Sequence, residues 1–285
     1  MKVFIDGEYF EKNQARISVF DHGLLYGDGI FEGLRVYDGR VFRLREHIER
    51  LLRSAKAILL ELPYTRDEIE NLVKECVALN KKANGYVRLV ATRGKGDLGV
   101  SPYSCPKASL IIIVDDIALY PAELYEKGIP IVTASSRRVG AEVFDPRVKS
   151  LNYLNNVLAK IEARQAGCLE AVMLDGEGRV SECTADNIFI IAEGALLTPC
   201  AYESILEGIT RRTVMELAAA AGMRCEARSL TRFDLYTAEE CFITGTGAEL
   251  MPVTVIDGRR IGDGKPGPYT KRLVAAFREY VTRAA

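Results

Sequence analysis

Four tight turns limit the folds open to this chain more than any other feature. Asp38-Gly39 lies between Leu34-Arg35-Val36-Tyr37 and Arg40-Val41-Phe42, and Asp175-Gly176-Glu177-Gly178, Glu193-Gly194 and Asp257-Gly258 stand likewise between short apolar runs. An acidic residue followed by glycine accepts the left-handed backbone that a short hairpin needs, so each turn predicts two adjacent antiparallel strands. Three of the four fall in the second half, between Leu169 to Leu174 and Arg179 to Glu182, Ile188 to Ile191 and Ala195 to Leu197, and Val253 to Ile256 and Arg259 to Ile261. Repeated hairpins of this kind predict a largely antiparallel, barrel-like sheet with helices between some strands, not a doubly wound one.

The first half has a different texture. From Arg45 to Glu61 the residues Ile48, Leu51, Leu52, Ala55, Ile58 and Leu59 recur at helical spacing, and Pro63 follows. Thr65-Arg66-Asp67-Glu68 reads as the capping box of a second helix. Strands are expected over Gly85 to Thr92 and Ser109 to Val114, the latter apolar enough for full burial. Strands backed by helices on one side make a small α/β sandwich-like domain over 1–117, and the chain as a whole reads as α+β. Acids, Pro121 and Gly128 between two strong strands place a connecting loop at 118–127, followed by the larger domain over 128–285. There a helix is expected from Asn152 to Ala166, ending at Gly167.

At 285 residues the chain has room for two cores. With 38 basic and 39 acidic side chains and no long run of like charge, it offers nucleic acid or an anionic membrane no field to bind. The N-terminus reaches Asp6 too soon for a signal-peptide core, and no stretch approaches the ~18 apolar residues of a membrane span, so a cytoplasmic chain is expected. The cysteines are 7 in number and form no C-x-x-C pair, which reads as free thiols in a reducing compartment. His22 and His47 share no close pattern with them, and no metal is expected.

Several segments carry chemistry, each with a plain structural alternative. Lys149 follows the loop Asp145-Pro146-Arg147-Val148 and precedes a helix, where lysines are ordinarily solvated. Glu182 ends a strand before the polar turn Cys183-Thr184-Ala185-Asp186-Asn187, and reads equally as a surface strand end. Thr184 and Asn187 either order that turn or merely form it. Gly208-Ile209-Thr210-Arg211 opens an amphipathic stretch, so its amides make an anion cradle or only a cap. Gly245-Thr246-Gly247-Ala248-Glu249 is a second turn able to present amides. A nucleophilic lysine, a carboxylate for a pyridine nitrogen and two anion-binding turns are the parts a pyridoxal phosphate site needs.

In that order the motifs reach a family. From Val19-Phe20-Asp21-His22-Gly23-Leu24-Leu25-Tyr26-Gly27-Asp28-Gly29 through Pro268-Tyr269-Thr270-Lys271, the chain resembles the fold-type IV pyridoxal phosphate enzymes, most closely the branched-chain amino acid aminotransferases. The resemblance implies a transamination between leucine, isoleucine or valine and 2-oxoglutarate in a cytoplasmic homodimer or higher homo-oligomer. Lys149 would bond the cofactor covalently and then move the proton. Arg50, in His47-Ile48-Glu49-Arg50-Leu51, resembles the phosphate-binding arginine, assisted by the amides of Ile209 and Thr210 and by Thr246. Tyr153 would contact the phenolic oxygen and Glu182 the ring nitrogen. Without the resemblance, Arg50 is a helix-surface residue paired with Glu46, and Tyr153 is core packing.

Phe31-Glu32-Gly33-Leu34-Arg35 and Tyr86-Val87-Arg88 match the family's substrate-recognition segments. By that match Tyr26 and Phe31 would wall an apolar pocket lined further by Gly33 and Arg35. Tyr86 would hold the α-carboxylate with the amides of the Thr246-Gly247-Ala248 turn, and Arg88 would receive the distal carboxylate of glutamate. Gly99-Val100 resembles the segment that enters the partner subunit's site, so active sites would be shared. Lys149-Ser150-Leu151-Asn152 also matches D-amino acid transaminases, but the loop Gly94-Lys95-Gly96-Asp97-Leu98-Gly99 lacks their arginine-x-histidine pair. Aminodeoxychorismate lyase of the same fold is a further alternative, opposed by Tyr86 and Arg88. Gly247 stands where alanine is familiar and Cys183 where glycine is, which implies an altered substrate range.

Overall fold

A computed structural model of the chain describes residues 1–117 and 120–284. They form two compact units. The first comprises Met1–Ile117 with Val148–Asn152 and the last turn of the chain from Val281, and the second comprises the segments running to Arg147 and from Tyr153 to Tyr280.

In the first unit, in chain order, are β1 (Lys2–Ile5), β2 (Glu8–Glu11), α1 (His22–Tyr26), β3 (Gly29–Tyr37), β4 (Arg40–Val41), α2 (Leu44–Ala57), α3 (Arg66–Leu79), β5 (Gly85–Thr92) and β6 (Ser109–Asp115). The sheet order is β2-β1-β6-β5-β3-β4, antiparallel throughout. Alternate residues Ile30, Leu34, Val36, Val87, Leu89, Leu110 and Ile112 bury one face against Ile48 and Leu51 of α2 and Ile69 and Val73 of α3. The capping box at Thr65 forms in full, its hydroxyl accepting from the Glu68 amide while the Glu68 carboxylate accepts from the Thr65 amide.

The expected helix to Glu61 stops earlier, at Ala57. Leu59 takes a left-handed φ of 51°, the Leu60 amide donates to Ala55 O and the Leu59 amide to Lys56 O. These are the two bonds of a Schellman cap, built here on leucine where glycine is usual. A left-handed non-glycine residue costs about 1–2 kcal/mol. Burial of Leu60 in the core offsets that cost.

The second unit contains α4 (Ala122–Lys127), β7 (Ile129–Thr133), α5 (Leu154–Gln165), β8 (Glu170–Leu174), β9 (Val180–Cys183), β10 (Asn187–Ala192), β11 (Ala195–Thr198), α6 (Ile209–Ala220), β12 (Cys225–Ala227), α7 (Arg232–Thr237), β13 (Glu240–Gly245), β14 (Glu249–Ile256), β15 (Arg259–Arg260) and α8 (Pro268–Ala284). Its sheet runs β12-β11-β10-β13-β14-β7-β8-β9, with β15 on β14. The three predicted hairpins are there as β8-β9, β10-β11 and β14-β15. The sheet is nonetheless mixed: β7 runs parallel to both β14 and β8, and β11 parallel to β12. Parallel neighbours need crossovers, and α5 and α6 lie in those connections.

This sheet has to curl. Five inter-strand steps separate β10 from β9 along the strand order, which on a flat sheet is about 24 Å. Residues 184–186 alone link the two strands, and such a link reaches about 14 Å. The loop expected at 118–127 is also corrected in part: Ala122–Lys127 is helical and belongs to the second unit, while residues 118 and 119 lie outside the described residues. Val148–Asn152 groups with the first unit although the sequence placed it within 128–285. Among the described residues, no helix is long and apolar enough to cross a membrane.

Candidate active site

Across an antiparallel pair, directly opposed residues share a face. The β3-β5 register pairs Phe31 with Val90, Gly33 with Arg88 and Arg35 with Tyr86. Phe31, Gly33, Arg35, Tyr86 and Arg88 therefore occupy one face, opposite to the core-facing Ile30, Glu32, Leu34 and Val36. A Cβ on Gly33 would run into the Tyr86 hydroxyl and stand 2.6 Å from Tyr86 Cζ, so the missing side chain at 33 makes room for the phenol. The Arg88 guanidinium lies 4.6 Å from the centre of the Phe31 ring and 5.5 Å from that of Tyr86. One surface thus offers an apolar ring, a phenol and a cation.

Lys149 joins the same unit through its backbone. β4 is only two residues long and pairs with Val36 and Tyr37, which leaves the Gly29–Phe31 edge of β3 open. Residues 149–151 take that edge: the Phe31 amide donates to Lys149 O at 2.9 Å and the Leu151 amide to Gly29 O at 2.9 Å. Ser54 Oγ accepts from the Lys149 amide at 3.2 Å. A Cβ on Gly29 would stand 2.6 Å from Leu151 Cδ1 and 2.7 Å from Ala91 O, so glycine permits this close approach on both sides. The Lys149 side chain is half-buried, with Nζ 4.4 Å from the Phe31 ring centre.

Arg50 is not the helix-surface partner of Glu46; that role falls to Arg43. Arg50 is buried, and its Nε and Nη2 donate to the two oxygens of Glu32 at 2.7 and 2.8 Å. His47, one turn earlier on α2, places Nδ1 2.8 Å from Glu32 Oε2. Burial raises the Glu32 carboxyl, but the charges of Arg50 and His47 and their hydrogen bonds outweigh it, and the net displacement is well below the usual carboxylate range. Burial lowers His47; Glu32 opposes this and the Arg50 and Lys149 charges reinforce it, so the imidazole stays below its ordinary value.

Tyr26 and Val100 belong to another part of the unit. The Tyr26 hydroxyl donates to Leu98 O, and His22, edge-on to Tyr26, places Nε2 2.7 Å from Asp97 O. These bonds hold the loop 95–100 against α1 and leave Val100 at its tip 78% exposed.

In the second unit Glu182 is buried at the end of β9, not a surface strand end. Arg138 Nη2 donates to its Oε1 at 2.8 Å, and Asn187 Nδ2 and the Leu206 amide donate to Oε2 at 3.1 and 3.0 Å. Arg138 also donates to Asn156 Oδ1, and Asn156 donates to Thr184 O. Thr184 is fixed from beneath by its hydroxyl on the buried Glu170. Thr184 and Asn187 therefore do order the turn.

Two glycines draw the remaining parts together. A Cβ on Gly208, the N-cap of α6, would run into Asn187 Oδ1, and one on Gly245 would run into Asp186 Oδ1. The N-terminus of α6 and the end of β13, where the 246–248 loop begins, accordingly pack on the turn that follows Glu182. No side chain caps α6, so the amides of Ile209 and Thr210 are first-turn donors with no intrahelical partner. The Thr246 turn is a hairpin loop and not a helix start; Thr246 and Gly247 are half-buried and Ala248 is buried. Tyr153 sits at the N-cap of α5, half-buried in a pocket of about 480 Å³ shared with Asn156, Glu170 and Thr184. Burial, then the neighbouring carboxylates of Glu170 and Asp186, raises the Cys183 thiol well above the usual range and so disfavours its thiolate.

The chain thus holds a lysine, an aromatic and cationic sheet face and a buried arginine in the first unit, with an anchored carboxylate beside uncapped amides in the second. Glu32, Arg138, Asn156 and Glu170 escaped sequence reasoning. Only Glu32 left a trace there, as the one charge among alternating apolar positions of a strand. No group of three or more His, Cys, Asp or Glu side chains among the described residues is placed to hold a metal.

Known proteins are similar to this chain over nearly its whole length. Residues 29–256 match the family described as Amino-transferase class IV. A Methanocaldococcus jannaschii protein, named provisionally as a branched-chain-amino-acid aminotransferase, is 49% identical over 99% of this chain and 97% of its own. A D-alanine aminotransferase of Listeria monocytogenes is 37% identical over 100% of this chain and 97% of its own. The crystal structure of the T.th. branched-chain amino acid aminotransferase with pyridoxamine 5′-phosphate superimposes with a TM-score of 0.95 at 36% identity, covering 100% of this chain and 95% of that one.

Proposed function

The chain belongs to the class IV aminotransferases, and on that premise we propose that it transfers the amino group of leucine, isoleucine or valine to 2-oxoglutarate, in the cytoplasm and as a homodimer with shared active sites. The observation that carries the substrate reading is the β3-β5 face. Phe31 offers an aliphatic side chain an apolar wall, while Arg88, 4.6 Å from that ring, offers a cation to the distal carboxylate of glutamate. A pocket that accepts both donors in turn needs both on one surface.

The cofactor is pyridoxal 5′-phosphate, which supplies when bound the aldehyde carbon and the electron-accepting ring that side chains lack. The residues present fit it. An anchored carboxylate, Glu182, suits a protonated ring nitrogen, and the uncapped amides of Ile209 and Thr210, with Thr246 and the Arg50 guanidinium, suit a phosphate. Tyr153 would meet the phenolic oxygen. Lys149 Nζ would hold the cofactor, then take the proton from the substrate Cα and return it at the cofactor's former aldehyde carbon. Tyr86 and the amides of Thr246, Gly247 and Ala248 would fix the α-carboxylate, with Gly33 and Arg35 lining the same face. The exposed apolar residues Val19, Leu24, Leu98 and Val100 support a second copy covering Tyr26 and the loop that bears Val100.

The D-alanine aminotransferase relative supports a second reading. Against it, the loop Gly94-Lys95-Gly96-Asp97-Leu98-Gly99 contains no arginine-x-histidine pair. Single-turnover mixing of the cofactor-loaded protein with L-leucine, L-glutamate and D-alanine separates the two. Keto acid formed from both L-amino acids, and none from D-alanine, is expected; keto acid from D-alanine alone transfers the chain to the second reading.

A further inference from the structure

Ile30, Glu32, Leu34 and Val36 point from β3 toward the α2-covered core, and one of the four is a carboxylate with no exposure. A leucine there would complete the apolar layer, and a buried ion pair seldom outdoes such packing in stability. Stability therefore does not account for Glu32. Its hydrogen bonds suggest another role. Both its oxygens grip the Nε–Nη2 edge of Arg50, at 2.7 and 2.8 Å, in the side-on arrangement that fixes the plane of a guanidinium. Oε2 also meets His47 Nδ1 at 2.8 Å, so the carboxylate itself is held against rotation.

We propose that Glu32, braced by His47, is a positioning residue for the cofactor's phosphate, fixing the Arg50 guanidinium so that the phosphate meets a prearranged donor instead of a mobile side chain. The inference rests on the reading of Arg50 as a phosphate ligand. It also makes a choice of sign. As a mere counter-charge, Glu32 would weaken the pull of Arg50 on an anion, and Glu32→Gln would tighten phosphate binding. As a positioning residue it prepays the ordering of a long side chain, and Glu32→Gln loosens phosphate binding.

The test is calorimetric titration of the full-length, cofactor-free protein with pyridoxal 5′-phosphate and, separately, with pyridoxal, which has the same ring and aldehyde but no phosphate. Wild type should prefer the phosphorylated ligand strongly. Glu32→Gln should raise its Kd at least tenfold and leave the Kd for pyridoxal within twofold. His47→Ala, which keeps the Glu32–Arg50 pair, should shift the first Kd about threefold, and it carries the test if Glu32→Gln does not fold. Unchanged or tighter phosphate-ligand binding in a folded variant overturns the proposal, as does an equal loss for both ligands. A wild type with no preference between the ligands would instead remove the premise about Arg50.

Discussion

Replacing Gly33 by alanine tests the proposed substrate face most directly. The added methyl would overlap the Tyr86 hydroxyl and lie 2.6 Å from its Cζ and 3.3 Å from its Cε2. Carbon atoms pack at about 3.5–4.0 Å, so the ring has to withdraw by about 1 Å at Cζ and its hydroxyl by still more. Tyr86 stands on a central strand between β3 and β6, and little of that withdrawal can be absorbed by the backbone. Overpacking of this sort costs about 1–3 kcal/mol, or roughly 2–4 °C of Tm for each kcal/mol. A displacement of about 1 Å in a group that positions substrate can cost up to about a hundredfold in rate. Gly33→Ala should therefore lower kcat/KM for L-leucine by ten- to a hundredfold, on the order of 1.4–2.7 kcal/mol. The assay is steady-state keto acid formation beside a thermal melt. In a Tyr86→Ala background the same substitution should cost almost nothing, because the clash has no partner. Wild-type kcat/KM and Tm in Gly33→Ala, or full additivity with Tyr86→Ala, would refute the reasoning.

Three further outcomes are expected. Lys149→Ala should lose all transamination and, after borohydride treatment, carry no cofactor mass in intact-protein spectrometry; turnover in this variant would end the mechanism. Because burial holds His47 below its ordinary value of 6.5, the unfolded chain takes up a proton near that pH and the folded chain does not. The His47 contribution to the urea midpoint should consequently be flat above pH 6.5 and fall as the pH drops below it, and His47→Gln should remove that component of the slope. Thr65→Ala removes the hydroxyl that accepts from the Glu68 amide and should cost about 1 kcal/mol in denaturant unfolding with no change in kcat/KM.

What the sequence revealed was local. The Asp38-Gly39, Glu193-Gly194 and Asp257-Gly258 turns and the capping box at Thr65 each depend on neighbouring residues, and each formed as expected. The end of α2 was hidden because its cap is a leucine, Leu59, whose left-handed backbone is offset by distant packing. The parallel pairings of β7 were hidden because its partner β14 lies more than a hundred residues downstream. Motif order singled out Lys149, but not its hold on the edge of β3, which depends on β4 being short. Arg50 read as a surface residue without the family resemblance, since helical spacing brings Glu46 near it and no local rule brings Glu32. Arg138 and Asn156 became visible only once the fold had placed them beside Glu182 and Thr184.

The strand order of the second unit also sets a timetable for biosynthesis. Before Glu240 leaves the ribosome, the strands already made can form only β7-β8-β9 and β12-β11-β10, two three-stranded pieces with no pairing between them. Each has an unpaired apolar edge, β7 in one and β10 in the other. The β13-β14 hairpin fills both edges at once, β13 pairing with β10 and β14 with β7. Open apolar edges invite pairing with other chains, so the nascent protein is most vulnerable to aggregation until Ile256 is out. A late hairpin is thus the keystone of this sheet, and a chain cut short before it would be expected to call on chaperones.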